Sequence, residues 1–303
     1  VILDCDPGTD DAVAIMLALA SPEIDVRAIT VTGGNVGLAA TLANALALVE
    51  LIGAVVPVHA GADRSLLQAF AAAPQVHGED GLGGVFLPGT RRAEAELAAD
   101  CIRRILRHSA VPVTLVGIGP ATNFALALAS EPAVAENIAE IVLMSGAWGE
   151  GNITPAAEFN AFNDPEALAI LASSGRKLTL VTLDLTAQAL VTPARLGALR
   201  GAGDGRCLSV ICDILATVPP SAQSGGSGAP LHDPCAIAWL VRPDLFTTRD
   251  CGLTVDLGPG PSRGRTVIDR WHSTRGVGRA TVPETIDSDG FFSLLAERLA
   301  RLP

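Results

Sequence analysis

Val1-Ile2-Leu3-Asp4-Cys5-Asp6-Pro7-Gly8-Thr9-Asp10-Asp11, running on into the apolar stretch Ala12 to Ala20, opens the chain and decides its fold class. The apolar run Val1 to Leu3 stops at Asp4 and predicts a short strand. Thr9 is placed to cap a helix, with Asp10 and Asp11 in the first turn, where the helix dipole favours negative charge. The helix is expected through Ala12 to Ala20 and ends at Ser21-Pro22. Outward from there, Val26 to Thr32 predicts a second strand closing on Gly33-Gly34-Asn35, followed by a helix over Ala39 to Ile52 and a strand over Val55 to His59. Strand-like runs recur at Val113 to Val116, Ile138 to Met144 and Leu178 to Leu183, with helical patterns between them. This alternation predicts an α/β fold: an open, mostly parallel sheet with helices on both faces. No repeat or linker divides the sequence, so one domain is expected over residues 1–303. The low-complexity stretch Pro219 to Pro230 precedes His232-Asp233 directly and is expected to form a mobile flap over the site. Cys251 to Arg270, alternating around Gly258-Pro259-Gly260-Pro261, predicts an antiparallel hairpin.

Composition narrows the function. The hydrophobic content is 49% and the mean hydropathy +0.40, yet no apolar run has the length of a membrane span. A net charge of −11 argues against nucleic acid and anionic membranes as partners. Lys177 is the only lysine and tyrosine is absent. Cys5, Cys101, Cys207, Cys212, Cys235 and Cys251 show no CxxC pairing, which fits reduced thiols and a cytoplasmic location. Val1 opens directly on a strand, so no signal peptide is expected, and the missing initiator Met points to a processed start.

The octet Asp4 to Asp11 carries the strongest chemical signal. Asp4 and Asp6 are two apart at a strand end and point the same way. Gly8 permits a sharp turn, and Asp10 and Asp11 return from the helix start. Four carboxylates are therefore expected to converge. Each pair about 5 Å apart repels by roughly 3 kcal/mol at an effective dielectric near 20. A cation offsets that cost, and all-oxygen ligands favour Ca²⁺ or Mg²⁺ over zinc. One or two aspartates would pass as ordinary helix-start acids; four in eight residues exceed that role. An EF-hand loop is excluded because its twelfth position, counted from Asp4, is Ile15. An aspartyl-nucleophile phosphatase would need Thr or Val where Gly8 stands. Farther along, Asn152, Glu158 and Asn160 form a hydroxyl-binding set suited to a sugar, echoed by Asn35. His232-Asp233, at a predicted helix start (Pro234 to Leu240), pairs a general acid with a metal ligand.

Taken together these motifs resemble the inosine–uridine-preferring nucleoside hydrolase family. The resemblance is carried by DCDPGTDD at 4–11, TGGN at 32–35, VHGEDGLGG at 76–84, VGIGPATN at 116–123, AEFN at 157–160 with DPEA at 164–167, and LHDPCA at 231–236. It implies a calcium-dependent N-ribohydrolase that releases ribose and a free base, assembled as a homodimer or homotetramer. By position, Asp6, Asp11 and Asp233 resemble the family's calcium-binding carboxylates, with the Ile118 carbonyl as a further ligand. Asp6 also matches the general base. Asp10, Asn35, Asn152, Glu158 and Asn160 match ribose-binding positions, His232 matches the leaving-group acid, and His77 lies in the segment that faces the base. Asp4 is expected to support the site from behind. The chain departs from the pattern at Thr9, where relatives often carry histidine, and in lacking the tyrosines that many relatives place before the His-Asp pair. On these residue types water activated beside the metal attacks the anomeric carbon, passing an oxocarbenium-like state with inversion. Two other classes remain open: a non-catalytic ribonucleoside-binding protein and a metal-dependent phosphohydrolase, the latter disfavoured by the isolation of Lys177.

Overall fold

The computed structural model describes residues 1–221, 225–273 and 278–303. In chain order the elements begin β1 (Ile2–Cys5), α1 (Thr9–Ala20), β2 (Ala28–Val31), α2 (Leu38–Ile52), β3 (Val58–Ala60), α3 (Pro74–His77), α4 (Ala98–His108), β4 (Val113–Gly117) and α5 (Thr122–Ser130). They continue β5 (Ile138–Met144), α6 (Phe159–Asn163), α7 (Pro165–Ala172), β6 (Leu178–Val181), α8 (Leu183–Thr186), β7 (Leu190–Val191), α9 (Pro193–Arg200) and α10 (Arg206–Thr217). The last are β8 (Ala229–Pro230), α11 (Asp233–Val241), β9 (Phe246–Val255), β10 (Thr266–Asp269), β11 (Gly278–Ile286) and α12 (Ser288–Leu299).

Among the described residues nine strands form one open sheet in the order β10-β9-β11-β6-β5-β4-β1-β2-β3. Every neighbouring pair from β3 to β11 is parallel, while β9 lies antiparallel between β11 and β10. The expected hairpin is thus the β9–β10 pair, with Thr266 opposite Val255. Side chains alternate between two cores. Leu3, Val116, Val142 and Val181 join the core under α1, α2, α10, α11 and α12. Ile2, Leu115, Ile141 and Leu180 join the core under α4, α5 and α7. That period of two on strands covered on both sides explains their nearly continuous apolar sequences. Helix α1 is apolar around most of its surface because it is buried among α2, α10, α11 and α12.

The order β3-β2-β1-β4-β5-β6 reverses direction between β1 and β4. Such a switch point leaves a crevice beyond the carboxyl ends of the two strands. Asp6 follows β1 and Ile118 follows β4, so the topology places both residues at this crevice. A separate two-stranded ladder, β7 with β8, ties the chain after α8 to the segment leading into His232. Among the described residues no helix is long and apolar enough to cross a membrane. All six cysteines are buried and free.

Some sequence expectations need correction. Gly8, not Thr9, is the N-cap of α1, and Thr9 is already helical. Gly8 has φ −105°, so it makes no left-handed turn. It is needed because a Cβ there would sit 2.6 Å from His77 Nδ1 and 2.7 Å from Asn35 Nδ2. Asp4 stands outside the group formed by Asp10, Asp11 and Asp233, though its charge still acts on Asp6. It lies within β1, facing α5, where Oδ1 accepts from Thr30 Oγ1 at 2.5 Å and from Asn123 Nδ2 at 2.8 Å. The strand expected to reach Leu183 stops at Val181 because Thr182 caps α8. Of the expected flap, residues 222–224 lie outside the described residues.

Candidate active site

A cavity of about 280 Å³ opens at the switch point, close to the lower end of the usual range for small-molecule pockets. Asp10, Asn35, His77, Ile118, Asn152, Glu158, Asn160, His232 and Asp233 all line it. Nearly every sequence-predicted site residue is therefore brought together. The exceptions are Asp6 and Asp11, which are wholly buried and do not form its wall. Pro219, Pro220, Ser221, Ala229 and Pro230 line the cavity as well, so the described parts of the expected flap do stand beside the site.

The acidic cluster is built by backbone donors. Asp11 Oδ1 accepts from the Asp6 amide at 3.2 Å, and Oδ2 from the Gly8 amide at 2.9 Å and Asn35 Nδ2 at 3.0 Å. The Gly8 contact returns a first-turn side chain to the N-cap amide, one half of a capping box. Asp6 Oδ2 accepts from the Asn35 amide at 2.8 Å. A Cβ at residue 34 would fall 2.0 Å from this oxygen, so Gly34 leaves room for the Asp6 carboxylate. Asp10, Asp11 and Asp233 each present an oxygen within 4.8 Å of the other two. Asp233, from the start of α11, thus takes the place the octet alone had given to Asp4.

The electrostatics of this group match a hard cation. Burial raises the pKa of Asp6 well above its usual value, with the charge of Asp11 adding to it. Asp11 is pushed up to about 7, by burial first and then by Asp10. Asp233 is raised by burial, then by the charges of Asp10, Asp11 and Asp6. Asp6 Oδ1 is buried with no hydrogen-bond partner. An orphaned carboxylate oxygen beside two carboxyls in contact is an expensive arrangement without a positive charge. Oxygen donors from Asp6, Asp11, Asp233 and the Ile118 carbonyl suit calcium. The Ile118 carbonyl accepts from Asn160 Nδ2 at 2.9 Å and keeps a second lone pair.

Of the side chains expected to bind a sugar, Asn152, Glu158 and Asn160 follow β5. Glu158 caps α6, its Oε1 accepting from the Asn160 amide and its Oε2 from the amides of Gly146 and Ala161 and from Ser145 Oγ. Burial raises its pKa in spite of these bonds. Asn160 Nδ2 also donates to the Met144 carbonyl at 3.1 Å, leaving Oδ1 as its acceptor. Asn152 is more exposed, and its Oδ1 accepts from the Phe159 amide at 2.8 Å.

Two histidines complete the wall. His77 Nδ1 accepts from the Thr9 amide at 3.1 Å, with Thr9 Oγ1 at 3.0 Å. A helix-start amide only donates, so the hydrogen of neutral His77 sits on Nε2. Burial lowers the pKa of His77, opposed by Asp10 and reinforced by His232. Burial also lowers the pKa of His232, again opposed by Asp10. His232 Nδ1 lies 2.7 Å from Thr186 Oγ1. Thr186 escaped the sequence analysis because it is remote from His232 in the chain and belongs to no motif. Lys177 bonds Glu140 at 3.0 Å and does not line the cavity.

Comparisons with known proteins show the family. Residues 1–293 match the family described as inosine-uridine preferring nucleoside hydrolase. The chain belongs to that family. It is accordingly a nucleoside hydrolase, an enzyme that acts on N-glycosyl compounds. It is 43% identical over 305 residues to the pyrimidine-specific ribonucleoside hydrolase RihA of Enterobacter sp. (strain 638), covering 99% of this chain and 97% of that one. The RihA of Citrobacter koseri is 44% identical over 304 residues with the same coverage. Among solved structures, the plant nucleoside hydrolase PpNRh1 superposes with a TM-score of 0.92 at 33% identity, covering 99% of this chain and 98% of its own. The purine-preferring ribonucleoside hydrolase from Gardnerella vaginalis superposes with a TM-score of 0.91 at 34% identity and the same coverage.

A second acidic and thiol group, His59, Glu96 and Cys101, gathers elsewhere. There Arg104 already grips both Glu96 oxygens through Nε at 2.9 and 3.1 Å and through Nη2 at 2.7 Å. Its guanidinium supplies the positive charge a cation would bring.

Proposed function

We propose that this nucleoside hydrolase cleaves the N-glycosidic bond of ribonucleosides to ribose and free base, with calcium as its metal and as a cytoplasmic homodimer or homotetramer. One observation carries the reading. The Asp10, Asp11 and Asp233 cluster opens on a cavity whose wall also holds Asn35, Asn152, Glu158 and Asn160. That pairs a cation site with a set of hydroxyl partners, as a ribose requires. Asp6, Asp11, Asp233 and the Ile118 carbonyl would hold the calcium. When bound, calcium makes nearby water more acidic and draws in sugar hydroxyls.

The chain's own residues account for the rest. Asp6, with Oδ1 free of other partners, takes a proton from the attacking water. Asp10 and Glu158 favour the positive charge that grows on the ribose as the bond to the base stretches. Asn35, Asn152 and Asn160 fix the sugar so that water approaches the face opposite the base. His232 gives a proton to the departing base, and His77 offers its Nε2 hydrogen on the base side. The buried, uncharged cysteines and the surface-bound Lys177 take no part.

The relatives at 43% and 44% identity are named for pyrimidine ribonucleosides, so uridine and cytidine head the test. A panel of ribonucleosides is incubated with the enzyme and calcium, and free ribose is measured by a reducing-sugar assay. Calcium-dependent release of ribose is expected. Tight binding of ribonucleosides without any ribose would make this a binding protein and overturn the proposal.

A further inference from the structure

The two histidines facing the cavity meet different kinds of partner through Nδ1. At His77 the Thr9 amide donates to Nδ1, so Nδ1 is an acceptor and Nε2 keeps the hydrogen. At His232 the partner is a hydroxyl, which donates or accepts. Thr186 has a single hydroxyl hydrogen, and the Leu183 carbonyl, 3.3 Å from Oγ1, stands ready to accept it. With that hydrogen directed back along α8, Oγ1 meets His232 Nδ1 as an acceptor at 2.7 Å. The imidazole hydrogen then sits on Nδ1, and Nε2 is the nitrogen free to pass a proton.

We propose that Thr186 is the positioning residue for His232, accepting a hydrogen bond from Nδ1–H and so fixing the ring in one orientation and one tautomer, with Nε2 as the proton-delivering nitrogen. This rests on the hydrolase reading above. The surrounding fold holds both partners in place. Thr186 is fully buried at the end of α8. Its carbonyl accepts from the Ala189 amide at 2.9 Å, and the Ala189 carbonyl in turn accepts from the Leu231 amide at 2.9 Å. The β7–β8 ladder, with Leu190 opposite Pro230, continues that connection. Residue 186 is therefore tied through three backbone segments to the residue just before His232. Such rigid support keeps an acid within reach of its target, where a misplacement of about 1 Å costs on the order of a hundredfold in rate.

The proton balance follows. The reacting ring is the imidazolium, formed when Nε2 of the Nδ1–H tautomer takes a proton from solvent, and Nε2–H passes that proton to the departing base as the C–N electron pair leaves with that base. Nδ1–H stays bonded to Thr186, and the ring is left neutral. The water oxygen bonds to the anomeric carbon, and the proton it sheds goes to Asp6. His77 is not equivalent, because its Nδ1 faces a backbone amide and holds no hydrogen to retain.

The test uses the full-length protein with calcium. A long-range ¹H–¹⁵N spectrum of the imidazoles, recorded at alkaline pH where the rings are neutral, reads the tautomer directly. His232 is assigned by its disappearance in His232→Ala. Expected is an Nδ1–H ring for His232 beside an Nε2–H ring for His77. Thr186→Val should lose the Nδ1–H form, since free imidazole favours Nε2–H, and Thr186→Ser should retain it. In kinetics, Thr186→Val should lower kcat about tenfold or more on ribonucleosides with KM little changed. It should lose far less on a p-nitrophenyl riboside, whose leaving group departs without a proton, and Thr186→Ser should recover most of the rate. An Nε2–H ring for His232 in the wild type overturns the proposal, even if Thr186→Val fails to fold. So do equal losses on both substrates, or no loss at all. If the wild type releases no ribose from any ribonucleoside, the hydrolase reading falls instead.

Discussion

At the scale of single residues, Asp11 concentrates the cost of the site. Its two oxygens satisfy the amides of Asp6 and Gly8 and the side chain of Asn35, while its carboxyl also meets that of Asp233. A bound calcium would turn this contact from repulsive to favourable. Asp11→Ala removes a proposed calcium ligand together with one of the hydrogen bonds of Asn35. Changes in groups that merely support a metal ligand typically cost 10–100-fold in affinity, so loss of the ligand itself should cost about a hundredfold or more. Calcium titration calorimetry and ribose release measure the two effects. A metal-free preparation, verified by elemental analysis, that still turned over ribonucleosides at the full rate would remove calcium from the mechanism.

At the scale of elements, the question is what keeps β1, β2 and α5 in register beneath the site. Asp4 answers part of it, with Thr30 of β2 and Asn123 of α5 sharing one of its oxygens. Asn123 Oδ1 also accepts from the Ala62 amide at 2.9 Å, fastening the loop after β3. Asn123→Ala strips a donor from a buried carboxyl and a partner from a backbone amide, and each loss costs about 1–3 kcal/mol. Urea unfolding should show a destabilisation of about 2–6 kcal/mol, with KM for ribonucleosides nearly unchanged because Asn123 does not line the cavity. A raised KM with unaltered stability would place Asn123 in the binding site instead. Much of this scale was legible beforehand. The bounds of β5 are those its apolar run predicts, and the β9–β10 hairpin follows from alternation around glycine and proline. The parallel pairing of β11 with β6 was not foreseen, since no local pattern distinguishes a late strand that returns to the sheet. Asp4, Asn123 and Thr186 were misjudged or missed for the same reason. Their partners lie 26, 119 and 46 residues away in the chain, and periodicity speaks only of near neighbours.

At the scale of the whole molecule, the residues proposed to hold the ribose and the calcium come from parts that cannot move together. Asp10 follows β1, Asn35 follows β2, Ile118 follows β4, Asn152 to Asn160 follow β5, and Asp233 begins α11. The sheet behind them is packed on both faces, so no small shift of the sugar restores a lost contact with several of these residues at once. This rigidity predicts strong discrimination against 2′-deoxyribonucleosides. A site built to bond a hydroxyl leaves buried polar groups unpaired when that hydroxyl is missing, and the penalty reaches about 10⁴-fold. A calcium in the site would also exchange a sugar oxygen for water. The opposing effect is chemical: a deoxyriboside reaches the oxocarbenium-like state more easily, which favours the wrong substrate. The lost contacts should prevail, because Glu158 and Asn160 are themselves fixed by backbone bonds and have no freedom to follow the shrunken sugar. The measurement is kcat/KM for a ribonucleoside and its 2′-deoxy counterpart at matched calcium. A ratio within about tenfold, equivalent to only about 1.4 kcal/mol, would mean that the polar wall of the cavity does not grip the 2′-hydroxyl.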